Sequence, residues 1–237
     1  VALIGPPNSG KSTLFNRLTG LRQKVANYPG VTVEQHSGRM SGIGHRNLTL
    51  IDLPGIYSLQ SYSEDARVAV DVLQGNMPGT AVPDAVLLVL DALQLNRQLM
   101  LAAPVLAMGL PTLVLLNMSD LMTARGGEID PLGLARELGA PVALISATKG
   151  TGFDAIDRFL TRLSEPAEAR HEPMQLPVLQ TAASCHQWAT QVSSRTKYKA
   201  PASPGWTRRL DAVLLHKFWG PVIFLAVVIG VFQVVFA

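Results

Sequence analysis

Short apolar runs alternate along the chain with stretches in which apolar residues recur at helical spacing. The runs at residues 1–4, 48–53, 85–90, 112–116 and 142–145 read as buried strands, and the segments 11–19, 64–74, 96–108, 131–138 and 153–163 read as helices. Residues 33–40 supply an additional edge strand. Strands taking turns with helices predict an α/β domain whose mostly parallel, six-stranded sheet is covered by helices on both faces. Beyond this region, residues 165–177 are rich in Pro, Glu and Ala and read as a linker, 181–195 as a helix and 199–205 as a break. Residues 207–217 suit a short amphipathic helix lying at a membrane surface.

The last stretch differs from all others. No charged residue occurs from Phe218 to Ala237. About 20 apolar residues match one helical crossing of a bilayer, so a membrane span is expected, with a buried core helix as the alternative. Both ends look cut: residue 1 already lies in a strand, and the chain stops within or just at the end of the apolar run.

Composition narrows the function classes. Of 237 residues, 48% are hydrophobic and 16% charged, which excludes a disordered chain. Cys185 is the single cysteine, so a disulfide scaffold and a multi-cysteine zinc site are excluded and a reducing compartment fits. Aromatics at 6% argue against a stacking platform for single-stranded nucleic acid. The chain carries 20 basic and 17 acidic side chains; six and one of these lie between Arg195 and Lys217, leaving 14 and 16 elsewhere. The positive balance belongs to one C-terminal segment, and no nucleic-acid partner is expected. Arg208, Arg209 and Lys217 flank the apolar run, which predicts a cytoplasmic location for everything before it.

Candidate chemistry begins after the first strand. Gly5-Pro6-Pro7-Asn8-Ser9-Gly10-Lys11-Ser12 follows the spacing G-x-x-x-x-G-K-[ST] between a strand and a helix, with Thr13 next in line. Glycines let backbone N–H groups curl around phosphate oxygens, the helix N-terminus adds its positive end, and Lys11 reaches the β and γ phosphates. The Ser12 hydroxyl is the expected Mg²⁺ ligand. Asp52-Leu53-Pro54-Gly55 ends a strand, where Asp52 can hold Mg²⁺ through water and the Gly55 N–H can sense a γ-phosphate. Gly30-Val31-Thr32 lies between the first helix and the next strand. Thr32 is there either the second Mg²⁺ ligand, ordering its loop when γ-phosphate is present, or a β-branched residue entering an edge strand.

Two later segments address a base. In Asn117-Met118-Ser119-Asp120, Asp120 can accept from guanine N1–H and the exocyclic amine, which adenine does not match. Asn117 would tie this loop to the phosphate loop. In Ser146-Ala147-Thr148-Lys149, the Ala147 N–H can reach guanine O6. Asn-x-x-Asp alone could simply cap a helix; four motifs in this order point to GTP and GDP as ligands. The nucleotide-binding residues expected are thus Gly5 to Thr13, Gly30 to Thr32, Asp52 to Gly55, Asn117, Met118, Asp120 and Ser146 to Thr148. The scattered histidines and Cys185 suggest no iron site.

These motifs resemble those of translation-factor-type G proteins. The stretch from Gly5 to Asp65 resembles the FeoB family of bacterial ferrous-iron transporters, through Asn8-Ser9-Gly10-Lys11-Ser12, Tyr28-Pro29-Gly30-Val31-Thr32-Val33-Glu34 and Asp52-Leu53-Pro54-Gly55-Ile56-Tyr57-Ser58-Leu59. Arg208-Arg209-Leu210-Asp211 before the apolar run adds to the likeness. Pro6 stands where the family often has Asn, and residues 166–217 are shorter than the helical bundle the family carries there.

The resemblance implies a P-loop GTPase domain over 1–165, a linker and short helical juxtamembrane segment over 166–217, and the first transmembrane helix over 218–237. It also implies a place at the bacterial inner membrane, with Fe²⁺ as cargo of further membrane segments. Membrane lipid, small accessory proteins of iron uptake and other copies of the chain follow as partners. Ile56 stands where Ras-like proteins place a water-orienting Gln, so unaided hydrolysis should be slow. The resemblance implies that Asn8 helps hold K⁺ near the phosphates; from its chemistry alone Asn8 could equally bond within its own loop. Lys11, Asn8, Thr32 and Gly55 form the expected catalytic group. The rival classes are a soluble ribosome-assembly or RNA-modifying GTPase and a GTP-controlled binding module with negligible turnover.

Overall fold

The computed structural model describes residues 1–20, 23–40, 48–59, 63–163, 182–202 and 213–236. The linker expected at 165–177 lies outside them, as does most of the amphipathic segment expected at 207–217. The chain divides into two compact units, Val1–Ala200 and Pro201–Ala237.

In the first unit the strands are β1 (Ala2–Ile4), β2 (Gln23–Asn27), β3 (Glu34–Arg39), β4 (Thr49–Asp52), β5 (Val86–Asp91), β6 (Thr112–Asn117) and β7 (Val142–Leu144). They form one sheet in the order β2-β3-β4-β1-β5-β6-β7. β4, β1, β5, β6 and β7 run parallel, while β3 is antiparallel to both β2 and β4. The sheet is therefore seven-stranded, not six-stranded, and the strand expected at the edge is interior because β2 covers it. β2 carries Gln, Lys and Asn, and its residues Lys24 to Asn27 are exposed. It is held by backbone pairing to β3, with Val25 opposite His36, and its sequence has no buried face to betray it.

The central strands show the other extreme. Every residue of β5 and β6 is buried, because helices cover both faces. Alternate side chains go to opposite layers. Leu88, Leu90, Val114 and Leu116 join the core under the first-unit helices α2 (Glu64–Gln74) and α3 (Leu95–Leu106), whereas Leu87, Val89, Leu113 and Leu115 join Leu14, Phe15, Ile156 and Leu160. The last four belong to α1 (Lys11–Thr19) and α6 (Asp154–Arg162). Helix starts follow local chemistry. Ser63 accepts from the Ala66 N–H to cap α2, and Asp130 accepts from the Leu132 N–H ahead of Pro131 in α5 (Pro131–Leu138). A short α4 (Ser119–Ala124) follows β6.

α7 (Ala182–Arg195) belongs to the same unit and packs on α3 and α5. Arg195 pairs with Glu137 at 3.1 Å. Tyr198 donates its hydroxyl to the Ala92 carbonyl at 3.1 Å, and Lys199, expected to open a break, exchanges backbone bonds with Glu128.

In the second unit α8 (Trp219–Phe236) has 18 residues. His216 accepts from the Phe218 and Trp219 N–H groups at its start. Phe218 and Phe224 are 72% and 71% exposed. Among the described residues no helix is long and apolar enough to cross a membrane, so the transmembrane helix expected from Phe218 is not supported.

Candidate functional site

The turn between β1 and α1 forms an open cavity of about 260 Å³ lined by Pro6, Pro7, Asn8, Gly10, Lys11, Ser12, Thr13 and Gly55. Its backbone is unusual in ways the sequence explains. Asn8 and Gly10 have φ of 63° and 83°, the left-handed region, which Asn and Gly tolerate best. A Cβ on Gly5 would lie 2.3 Å from the Val89 carbonyl oxygen, so only glycine lets the loop leave the sheet there. No acidic residue stands in the first turn of α1, which leaves its positive end open to an anion.

Lys11 lines this cavity and pairs with Asp52 at the end of β4. Burial pushes the Asp52 carboxyl up, and the Lys11 charge and hydrogen bond pull it partly back. A phosphate bound in this cavity would share the lysine with the Asp52 carboxylate. Leu53 is buried behind Asp52, and Pro54 leads to Gly55 against Pro7. Ile56 is 4% exposed and donates its N–H to the Gly5 carbonyl at 3.3 Å. Its side chain is packed into the core and cannot orient water.

The base loops are built on β6 and β7. Asn117 donates from Nδ2 to the Ser9 carbonyl at 2.8 Å and accepts from the Ala147 N–H at 2.9 Å. One buried amide thereby joins the phosphate loop to both base segments. It also engages the Ala147 N–H that was expected to read guanine O6. Met118 turns through the left-handed region at φ 62°, and Ser119 donates to the Ile145 carbonyl, which places Asp120 at the start of α4. Lys149 pairs with Asp120 at 3.1 Å. Burial alone would raise the Asp120 carboxyl, but hydrogen bonds from Lys149 and Ser146 and the Lys149 charge outweigh it and hold it below the usual range. The Ser146 and Thr148 hydroxyls lie 3.2 Å apart and shape the second segment.

The structure therefore brings together the phosphate loop, Asp52, Gly55, Asn117, Asp120 and residues 146–148. It does not bring Thr32 to the cavity. Gly30 and Val31 form a turn with the Val31 N–H bonded to the Tyr28 carbonyl, and the exposed Thr32 hydroxyl donates to Glu64 at 3.4 Å. Glu64 escaped sequence reasoning because it looks like an ordinary acidic first-turn residue of α2. Tyr28 was quoted in the family resemblance but given no role: it is 1% exposed, its hydroxyl has no partner among the described residues, and burial followed by the Asp52 charge raises its pKa. Arg17 is the third omission. From the last turn of α1 its Nη1 donates to the Ala147 and Thr148 carbonyls at 3.1 and 2.7 Å. No motif marks it.

With this geometry the chain can be set beside known proteins. The family model described as Ferrous iron transport protein B matches residues 1–160. The chain belongs to the FeoB family. It is 36% identical, over 99% of its length, to the Fe(2+) transporter FeoB of Synechocystis, and 41% identical, over 72%, to that of Escherichia coli. It spans 38% and 22% of those two FeoB proteins. Among solved structures, the cytosolic domain of L. pneumophila FeoB is similar at 37% identity and a TM-score of 0.64, over 76% of this chain and 67% of that one. The cytosolic domain of T. maritima FeoB in its GMPPNP form is similar at 26% identity and a TM-score of 0.68, over 82% and 97%. The chain is thus the N-terminal FeoB region, with an α/β P-loop GTPase fold and a mixed sheet.

Proposed function

We propose that the chain is the GTP-binding and GTP-hydrolysing cytoplasmic part of a bacterial Fe²⁺ transporter at the inner membrane, its nucleotide state gating iron uptake. The observation that carries this reading is the Asn117 amide, which holds the phosphate and base loops in one rigid frame beside Asp120 within a FeoB-family chain. Residues 1–165 serve as the nucleotide domain and the segments after them as its link to the transporter. Membrane lipid, accessory proteins of iron uptake and further copies of the chain are the partners that follow from the family. Handling of the Fe²⁺ cargo is assigned, as the family implies, to further membrane segments of the transporter.

The residues suit Mg²⁺. Ser12 is exposed at the cavity, and it and Asp52 offer oxygen donors suited to a hard cation, to which Thr32 would add a third once it leaves Glu64. Bound there, Mg²⁺ would neutralise charge on the β and γ phosphate oxygens. Lys11 would orient the same oxygens, and the Gly55 N–H would donate a hydrogen bond to the γ-phosphate when it is present. Asn8 lines the phosphate cavity at a φ of 63° and is the candidate K⁺ ligand. Turnover by the full chain is expected to be slow in Na⁺ and faster in K⁺, because buried Ile56 supplies no water-orienting group. A K⁺ response unchanged by Asn8→Ala would remove Asn8 from that role, and equal calorimetric affinity for GTP and ATP would remove the GTP reading itself.

Thr32 must leave Glu64 to reach the metal. A GTP analogue should therefore protect the loop around Thr32 from protease more than GDP does, and Thr32→Ala should abolish the difference. Protection that survives Thr32→Ala would show that another residue orders the loop.

A further inference from the structure

Arg17 lies at the far end of α1, whose near end faces the phosphate cavity. Its guanidinium meets the base segment in three independent ways. Nη1 donates to the Ala147 carbonyl at 3.1 Å and to the Thr148 carbonyl at 2.7 Å. The guanidinium carbon lies 5.9 Å from the centre of the Phe153 ring, within reach of its π face. Gly150 at φ 75° leaves room for it, since a Cβ there would come within 2.6 Å of Nη2. The fork is thus seated by a ring on one side and a missing side chain on the other.

The consequence depends on what Ala147 does. Its N–H is bonded to Asn117, and its carbonyl to Arg17. The same peptide segment is therefore held from the β6 side by an amide and from α1 by a guanidinium. We propose that Arg17 is a positioning residue that latches the guanine-binding segment Ser146–Thr148 to the phosphate-binding helix, so that it sets how long a guanine nucleotide stays bound. This rests on the GTP reading above. Arg17 touches neither base nor phosphate; it acts through the two carbonyls. A guanidinium suits the task better than an ammonium, because Nη1 can meet two neighbouring carbonyls while the planar group lies over the Phe153 ring.

The latch divides the site into parts with different fates. The phosphate cavity is built from residues 6–13 and Gly55, none of which Arg17 contacts in this structure through a hydrogen bond. Loss of the latch should loosen the base end and leave the phosphate end as it is. Charge-assisted hydrogen bonds near the surface have moderate strength, so the effect should be about tenfold on release.

The test follows release of a fluorescent GDP analogue from the full chain with excess GDP, together with pyrophosphate affinity and the thermal midpoint without nucleotide. Arg17→Ala should release GDP about tenfold faster, with pyrophosphate affinity and midpoint unchanged. Gly150→Ala, which pushes the guanidinium out while leaving it in the chain, should also speed release. The double variant should be no faster than the faster single one, because both remove one latch. Unchanged release in Arg17→Ala would overturn the proposal. So would a parallel loss of pyrophosphate binding or of midpoint, which would make Arg17 a general support of the fold, or effects of the two variants that simply add. If the unmodified chain bound no GDP, the nucleotide reading itself would fall, and the latch with it.

Discussion

Asp120→Asn should reverse the base preference of this chain. GTP affinity should fall by about two orders of magnitude or more, and affinity for xanthosine triphosphate should rise to replace it. On the proposed reading, the carboxylate at the start of α4 would accept from two donors of guanine; an amide in its place would keep one acceptor and turn a donor toward the ring. Xanthine has a carbonyl where guanine has its amine, and so fits the new amide. Calorimetry with the two triphosphates reads the exchange directly. Loss of both ligands together would mean that Asp120 supports the loop and does not read the base. The structure adds a pH expectation. Hydrogen bonds from Lys149 and Ser146 hold the Asp120 carboxyl below its ordinary 3.8. A group depressed in the folded state keeps its contribution above the unfolded value and loses it only as pH falls through the lower folded one. GTP selectivity should accordingly stay flat from neutral pH down to the acid range where carboxylates begin to protonate.

Gly10→Ala should be strongly damaging to both fold and site. Two penalties coincide. At φ 83° an L side chain is strained by about 1–2 kcal/mol. The new Cβ would also stand 2.2 Å from Asn117 Nδ2, which must move and give up its 2.8 Å bond to the Ser9 carbonyl. A buried polar group left unpaired adds roughly 1–3 kcal/mol. A loss near 3 kcal/mol in urea unfolding without nucleotide is expected, at about the middle of those ranges. Nucleotide binding should drop below detection in the same preparation. Gly30→Ala is the control: its φ is 78°, but nothing lies within 4 Å of the new atom. Only the strain remains there, so a Gly10→Ala variant no worse than Gly30→Ala would mean that the Asn117 contact is not what makes Gly10 necessary.

The contrast between these glycines shows where the sequence was informative. The phosphate loop, Asp52-Leu53-Pro54-Gly55 and Asn117-Met118-Ser119-Asp120 announce themselves because their chemistry depends on residue type at fixed spacing. The parallel strands do so because burial on both faces demands unbroken apolar runs, as in β5. β2 was illegible because an exposed edge strand is specified by its partner's backbone. Glu64 and Arg17 were illegible for a different reason. Each is a charged residue on an exposed helix position, where composition is weakly constrained, and its role arises from a neighbour 32 or about 130 residues away. The apolar run from Phe218 was legible as a helix, and its period and hydrophobicity predicted more than α8 supports.

The edge position of β2 carries one more implication. Among the described strands it pairs with β3 alone, and its side chains from Lys24 to Asn27 are exposed, so the free energy that keeps it closed is small beside that of β5 or β6. Deuterium should enter the amides of Lys24 to Asn27 well before those of the central strands. The loop that carries Thr32 joins β2 to β3, and it can therefore be remodelled at the margin of the sheet while the buried central strands β1, β5 and β6 remain closed to solvent exchange.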